Sequence, residues 1–483
     1  MTVLGIDLGN ANSVVYALVG GETVLIPAAD SGGPVTPSVV AFAAADDALV
    51  GDPAGRQAAA DPTRVSRSFA SRVAEEPGPG EPAAARLVAL LLGKLKRDAE
   101  LRLGEPVSEA VITVPASATH RHHLALVAAA EQAGLSVLGT ICGPTAAALA
   151  HGRRIGRDHR FAVVDLGART LGVSLVTVAG RTVEVTATVG DAELGGADWD
   201  QLILRHITTA AIAEHGLDLT RDQPAMGQLA DAAERAKIEL SSAATATLDV
   251  PYLATRARGA VSLYTELSRT ELERMAAGLL DRCAGVYNRA IRAGGDVDEV
   301  ILVGGASRMP AIGALIRRLA GRQAPRVVTV PGLAAAGACL HAGTIAGHVD
   351  GVRLVDVARL PLAVQTRGGI AVPLVRAGTP LPATGSATFT TVRDGQESAL
   401  FQLVQGESEI AASNTPLGSF ELSGLGPAPR GTPRIDLTIT ADGTVRAAAR
   451  DQQTRRSRSL TVSAATASAP ALPASDATAV TLA

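Results

Sequence analysis

From residue 1 to about 345, short apolar runs rich in β-branched residues, such as Val111-Ile112-Thr113-Val114, alternate with long Ala- and Leu-rich stretches. Continuous short apolar runs suit strands buried on both faces, and their alternation with helical stretches is the pattern of an α/β domain. Helices are expected from Ala83 to Leu103 and from Asp231 to Ser241. After about Asp356 the period changes to two: Ile435, Leu437 and Ile439 alternate with polar residues, and Asp394-Gly395 and Asp442-Gly443 favour hairpin turns. A separate all-β domain is expected there. Beyond Val462 the chain is mostly Ala, Ser, Thr and Pro, with too few large apolar side chains to offset the entropy of ordering it. The expected division is therefore an α/β domain over 1–350, a linker over 351–357, a β domain over 358–463 and a disordered tail over 464–483.

The α/β half repeats itself. Gly5-Ile6-Asp7-Leu8-Gly9, followed by apolar residues through Val19, matches Val163-Val164-Asp165-Leu166-Gly167, followed by apolar residues through Val178. One Asp-x-Gly turn is ordinarily only a hairpin, but two with matched flanks point to a duplicated domain with a cleft between its halves. Each turn can aim backbone N–H groups at an anion while its carboxylate holds Mg²⁺ through water. Gly195-Gly196-Ala197-Asp198 is a further candidate phosphate loop. Glu234, Lys237 and Ser241 fall on one face of the predicted helix. Val300 to Pro310 has the form of strand, glycine turn and helix start, with Ser307 as N-cap, and Arg308 placed to stack on a purine. Together these elements predict a nucleoside pocket.

Composition narrows the partners. A formal net charge of -3 over 483 residues gives no broad positive field for nucleic acid or anionic lipid. Cys142, Cys283 and Cys339 are far apart and form no CxxC pair, which fits a reducing cytoplasm rather than a disulfide framework. Asp7 interrupts the apolar start, and no segment has the roughly 20 apolar residues of a membrane span, so a soluble protein without a leader is expected. His120, His122 and His123 lack further ligands and are expected to form a solvated helix start.

Over nearly all of residues 1 to 463 the chain resembles the seventy-kilodalton heat-shock (DnaK-type) family. The matching runs include Gly5 to Gly9, Val111 to Ala116, Pro144 to Ala150, Asp165 to Gly167, Ala233 to Ser242, Val300 to Pro310, Gln405-Gly406-Glu407, Leu417 to Leu422 and Pro427 to Gly431. The resemblance implies an actin-like, ribonuclease H-like duplicated α/β ATPase domain and an all-β sandwich substrate-binding domain. It implies ATP or ADP with Mg²⁺ as cofactors, and unfolded or extended polypeptide segments and co-chaperones as partners. Asp7 and Asp165 match the family's Mg²⁺-associated aspartates and Thr170 the threonine of its second phosphate loop. Glu234, Lys237, Ser241 and Arg308 match its adenosine contacts. Gly9, Asn10, Ala11, Gly167, Ala168, Gly195, Gly196, Gly304 and Gly305 fall in its nucleotide loops. Val364, Arg367, Phe389, Val392, Ala399 and Phe401 match peptide-pocket positions, with Arg367 where an apolar arch residue is expected.

The departures concentrate on hydrolysis. Asn10 and Ala11 replace two threonines, Gly143 a glutamate, Ala168 and Arg169 two loop glycines, and Gly172 an aspartate, while Ala70 aligns with the catalytic lysine. Loss of these groups together is expected to remove most phosphoryl-transfer catalysis while leaving binding. Pro115 keeps the family's switch proline, but its relay arginine falls at His123. Arg353 interrupts the apolar linker, where burying its charge would be costly. No helical lid is expected after the β domain. The expected function is an ATP-binding, chaperone-like protein for extended apolar segments with weak or absent hydrolysis. The alternatives are a non-hydrolysing scaffold for one dedicated partner, an active ATP-hydrolysing chaperone, and a sugar kinase on the same fold.

Overall fold

The computed structural model describes residues 2–44, 47–60, 64–79, 81–155, 158–216, 218–256, 259–321, 326–327, 332–349, 353–441, 444–463 and 479–483. The chain divides into two compact units, one of residues 1–116, 129–184 and 188–353, the other of 117–128, 185–187 and 354–483.

The first unit contains two sheets of the same design. In one, the strands run in the order Glu22–Ile26, Asn12–Val19, Val3–Asp7, Glu109–Val114, Ser136–Cys142. In the other, the order is Thr182–Asp191, Leu171–Ala179, His159–Leu166, Glu299–Val303, Arg326–Val327. Each central strand pairs antiparallel with the strand that follows it and parallel with a strand much later in the chain. Asp7 is the last residue of one central strand and Asp165 the last but one of the other, opposite Val14 and Gly172 respectively. The repeat seen in the sequence is thus a repeat of topology, and it brings both carboxylates to the carboxyl ends of parallel strands, where open α/β sheets bind ligands.

Close helix packing fixes this arrangement. Leu333–Ile345 is a helix buried over most of its circumference against the Val3–Asp7 strand and the Gly143–Ile155 helix. A Cβ at Gly5 would lie 2.0 Å from Cys339 N, and one at Gly337 only 1.7 Å from Ala146 O, so the backbones approach where only glycine fits. The expected helix after Ala83 spans Ala84–Leu103. Its Lys94 is buried in ion pairs with Asp98 at 2.8 Å and Asp30 at 3.0 Å.

The second unit is two sheets around one core. The first has the order Ile370–Val375, Leu362–Thr366, Ser398–Gln405, Thr415–Ser423. The second runs Ser457–Thr461, Val445–Asp451, Pro433–Ala441, Ala383–Thr391, Val480–Leu482. Ile435, Leu437 and Ile439 all point into the core, as their alternation predicts.

Several expectations need correction. The Asp394-Gly395 turn joins strands of different sheets rather than a hairpin, because the Ala383–Thr391 strand pairs with Pro433–Ala441 instead. Asp442-Gly443 lies outside the described residues, although the strands flanking it pair at Ala441 and Val445. Of the expected disordered tail, 464–478 lie outside the described residues, whereas Val480–Leu482 is a strand on Ala383–Thr391, held by backbone bonds that composition does not reveal. Arg353 donates its N–H to Arg181 O and keeps its side chain exposed, so its charge is not buried. His122 is buried, and His120 and His123 stack with ring centroids 5.6 Å apart, so this helix start is not solvated. Burial lowers the basicity of His120, and burial with the nearby His120 and Arg359 pushes His123 down to about 4. Among the described residues, no helix is long and apolar enough to cross a membrane.

Candidate nucleotide site

A cavity of about 610 Å³ opens between the two halves of the first unit. The two Asp-Leu-Gly turns form its floor, with Asp7, Gly9, Asn10 and Ala11 from one and Asp165, Gly167, Ala168 and Thr170 from the other. Its opposite wall is the Gln223–Leu240 helix, whose N-cap Asp222 accepts from Ala225 N–H at 3.1 Å, and the glycine turn after Glu299–Val303. Glu234, Lys237 and Ser241 all line the cavity, as their common face requires, together with Gly304, Gly305 and Arg308.

The floor concentrates negative charge. Asp7 accepts a hydrogen bond from Thr113 Oγ1 at 2.7 Å, and that hydroxyl accepts from Leu8 N–H at 3.2 Å. Burial raises the Asp7 pKa despite the Thr113 bond. Burial and the neighbouring Asp7 charge push Asp165 up to about 7. Two like charges in a poorly hydrated floor would be relieved by a cation, and the Asp7 and Asp165 carboxylates are a donor set that would suit Mg²⁺ held through water. Gly304, at φ +86°, lets the adjacent turn pass: a Cβ there would lie 2.3 Å from Leu166 O and 2.5 Å from Asp165 Oδ1.

Other predicted residues have different duties. The N–H of Gly195 donates to Asp198 Oδ2, that of Gly196 to Gly167 O and that of Ala197 to Ala168 O. The Gly196 and Ala197 donors brace the second turn, the Gly195 donor closes its own helix start, and Gly196 also lines the cavity. A Cβ at Gly195 would sit 2.4 Å from Arg169 N. Ser307 is not the N-cap, since the helix Pro310–Leu319 starts after Met309; its hydroxyl donates to Gly304 O at 2.7 Å and so fixes the glycine turn. Lys237 pairs with Asp200 at 2.7 Å and donates to Gly196 O at 3.2 Å. Burial, only partly countered by Lys237, pushes Asp200 up to about 6.

At the positions expected to lack catalytic groups, Gly143 and Gly172 line the cavity, with a Cβ at Gly143 only 3.1 Å from Asp165 Oδ2. Ala70 is buried, and Arg67 lies 3.5 Å from Asp231 rather than facing the cavity. Asn10 accepts from Ser71 N–H at 3.0 Å and its hydroxyl at 3.1 Å. Arg169 is absent from the cavity wall. Among the described lining residues the cations are Lys237, already paired, and Arg308, exposed at the rim.

The family model for Hsp70 protein matches residues 3–73 and 67–472, nearly the whole chain. The chain belongs to the Hsp70 family. Hsp70 membership supports an ATP-binding, chaperone-like function, since the family generally binds ATP or ADP with Mg²⁺, unfolded polypeptides and co-chaperones.

In this Hsp70 chain the expected peptide-pocket residues divide. Val364, Phe389, Ala399 and Phe401 are wholly buried in one cluster, with the Phe389 and Phe401 rings edge to face at 6.0 Å. Val392 is half-buried and Arg367 exposed. Ser71, Asp200 and Gln396 escaped sequence reasoning, since none belongs to a local motif. Thr113 was legible only as part of the Val111 to Ala116 run, and each of the four acts through a partner distant in the chain or across a loop.

Proposed function

We propose that this chain is a nucleotide-binding Hsp70-type chaperone that binds Mg-ATP or Mg-ADP, hydrolyses ATP weakly or not at all, and holds extended apolar polypeptide segments in its β unit. The matching order of the two sheets supports an actin-like first unit. The observation that carries the nucleotide reading is the meeting of Asp7 and Asp165 on one cavity floor, facing Glu234, Lys237, Ser241 and Arg308. The floor would hold Mg²⁺ and phosphates, and the far wall would hold the nucleoside. Magnesium would supply charge neutralisation for the phosphates.

Weak hydrolysis is supported by Gly143 and Gly172 at the cavity wall, where no side chain can position water, and by the buried Ala70. Buried thiols suit a reducing cytoplasm, with burial first among the causes that push Cys283 and Cys339 up to about 12. The second reading, a scaffold for one dedicated protein, draws on the closed packing of Val364, Phe389, Ala399 and Phe401.

Calorimetric titration of the purified chain with ATP and ADP, each with Mg²⁺, tests the binding claim. Saturable heat and a raised melting temperature are expected, because a ligand selective for the native state stabilises it by mass action. Absence of both with both nucleotides would refute it.

A further inference from the structure

The Val480–Leu482 strand is the outermost strand of its sheet, and it pairs antiparallel with Ala383–Thr391 in the register Phe389 to Leu482, Thr390 to Thr481 and Thr391 to Val480. Four further bonds hold the segment by its backbone. Arg367 N–H donates to Val480 O at 2.9 Å, Gln396 Nε2 to Ala479 O at 3.2 Å, Thr390 Oγ1 to Thr481 O at 3.5 Å, and Ala483 N–H to Thr388 O at 3.0 Å. Val480 is 1% exposed and belongs to the cluster of Val364, Phe389, Ala399 and Phe401, whereas Thr481 and Leu482 are exposed.

The receiving site also has bonds that do not involve this segment. Gln396 is only 5% exposed, and its carboxamide is fixed by accepting from Val392 N–H at 3.0 Å and donating to Ser398 O at 2.6 Å. Backbone bonds on both sides of an extended segment, one aliphatic anchor turned inward and the other side chains left outside form the general chemistry of strand addition. Of the six residues expected to contact peptide, Arg367 bonds the segment through its N–H, Phe389 pairs with Leu482 in register, Val392 bonds the Gln396 that holds Ala479, and Val364, Ala399 and Phe401 share a core cluster with Val480.

We propose that Ala479–Ala483 is an intramolecular occupant of the polypeptide-binding edge, a built-in competitor that an extended apolar client displaces. This rests on the reading that the β unit binds such segments, and it adds how the site is regulated. Occupation by the chain's own segment also accounts for the closed state of the expected pocket. A tethered strand competes at an effective concentration on the order of millimolar, so clients compete against it rather than enter an open site.

Fluorescence anisotropy with a synthetic Ala-Val-Thr-Leu-Ala peptide, labelled through a Gly-Gly linker, tests this on three proteins. These are the full chain, the chain lacking 479–483, and full-length Thr481→Pro, in which proline removes the N–H opposite Thr390 while the exposed position tolerates the ring. Melting followed by circular dichroism monitors the fold of each. The expected result is binding at least about tenfold tighter in both altered proteins than in the full chain. Equal affinity in all three would overturn self-occupancy while leaving polypeptide binding intact. No binding by any folded protein would overturn both, leaving nucleotide binding unaffected. Loss of the cooperative melt in both altered proteins would make the segment a structural strand and likewise overturn the proposal.

Discussion

At the scale of single residues, the cleft separates groups that hold a ligand from groups that would transform it. Arg308 is exposed at the rim, free to lay its guanidinium on a purine, so Arg308→Ala is expected to weaken ATP about tenfold, read by calorimetry. Restoring a family residue is expected to fail for steric reasons. A Cβ at Gly172 would meet Pro144 Cγ at 2.9 Å and Ala116 Cβ at 3.0 Å. Gly172→Asp should therefore cost about 1–3 kcal/mol, seen as a lower melting temperature, without a gain in turnover. An increase in both stability and turnover would show that the wall yields easily. Asp7, Asp165, Glu234 and Arg308 were legible in the sequence because each sits in a turn or helix whose local pattern survives. Asp200 was not, since its role depends on Lys237, on the next helix of the chain.

Among the elements, the most consequential buried charge outside the cleft is in the second unit. Arg434 Nε and Nη2 donate to both oxygens of Asp451, at 3.0 and 2.8 Å, and Thr454 donates to the same carboxylate through its N–H and hydroxyl. Burial alone would raise the Asp451 pKa, but these bonds hold it down to about 2, against an ordinary value of 3.8. A carboxyl whose folded pKa is depressed contributes stability that is present above its unfolded pKa and lost as pH falls through the folded value. The melting temperature of the β unit is therefore expected to fall between about pH 4 and pH 2. Asp451→Asn should cost about 3–5 kcal/mol at neutral pH by leaving Arg434 buried without a counter-charge, and should flatten that acid step. An unchanged pH profile in Asp451→Asn would assign the acid sensitivity elsewhere.

Period and punctuation announced the alternating strand of Ile435, Leu437 and Ile439 and the helix after Ala83, because burial on one face leaves a local trace. The route of the chain at Asp394-Gly395 was not legible: a turn dipeptide reports local backbone geometry, whereas the partner strand is chosen by distant residues. The three-residue strand Val480–Leu482 is too short to carry a period, and its partners supply the order.

For the whole molecule, the duplicated sheets explain why family membership and a cleft with both aspartates on its floor survive the loss of individual groups. Sheet order and backbone approach at Gly5, Gly304 and Gly337 fix the positions of Asp7 and Asp165 whatever occupies 10, 143 and 172. Binding draws on many contacts, while phosphoryl transfer fails when water positioning and charge stabilisation are removed together. The most direct test is single-turnover conversion of ATP to ADP by excess protein with Mg²⁺, at a concentration that calorimetry has shown to saturate the site. The expected result is bound ATP that remains largely unconverted over hours. Prompt, Mg²⁺-dependent ADP formation that disappears in Asp7→Asn would contradict it.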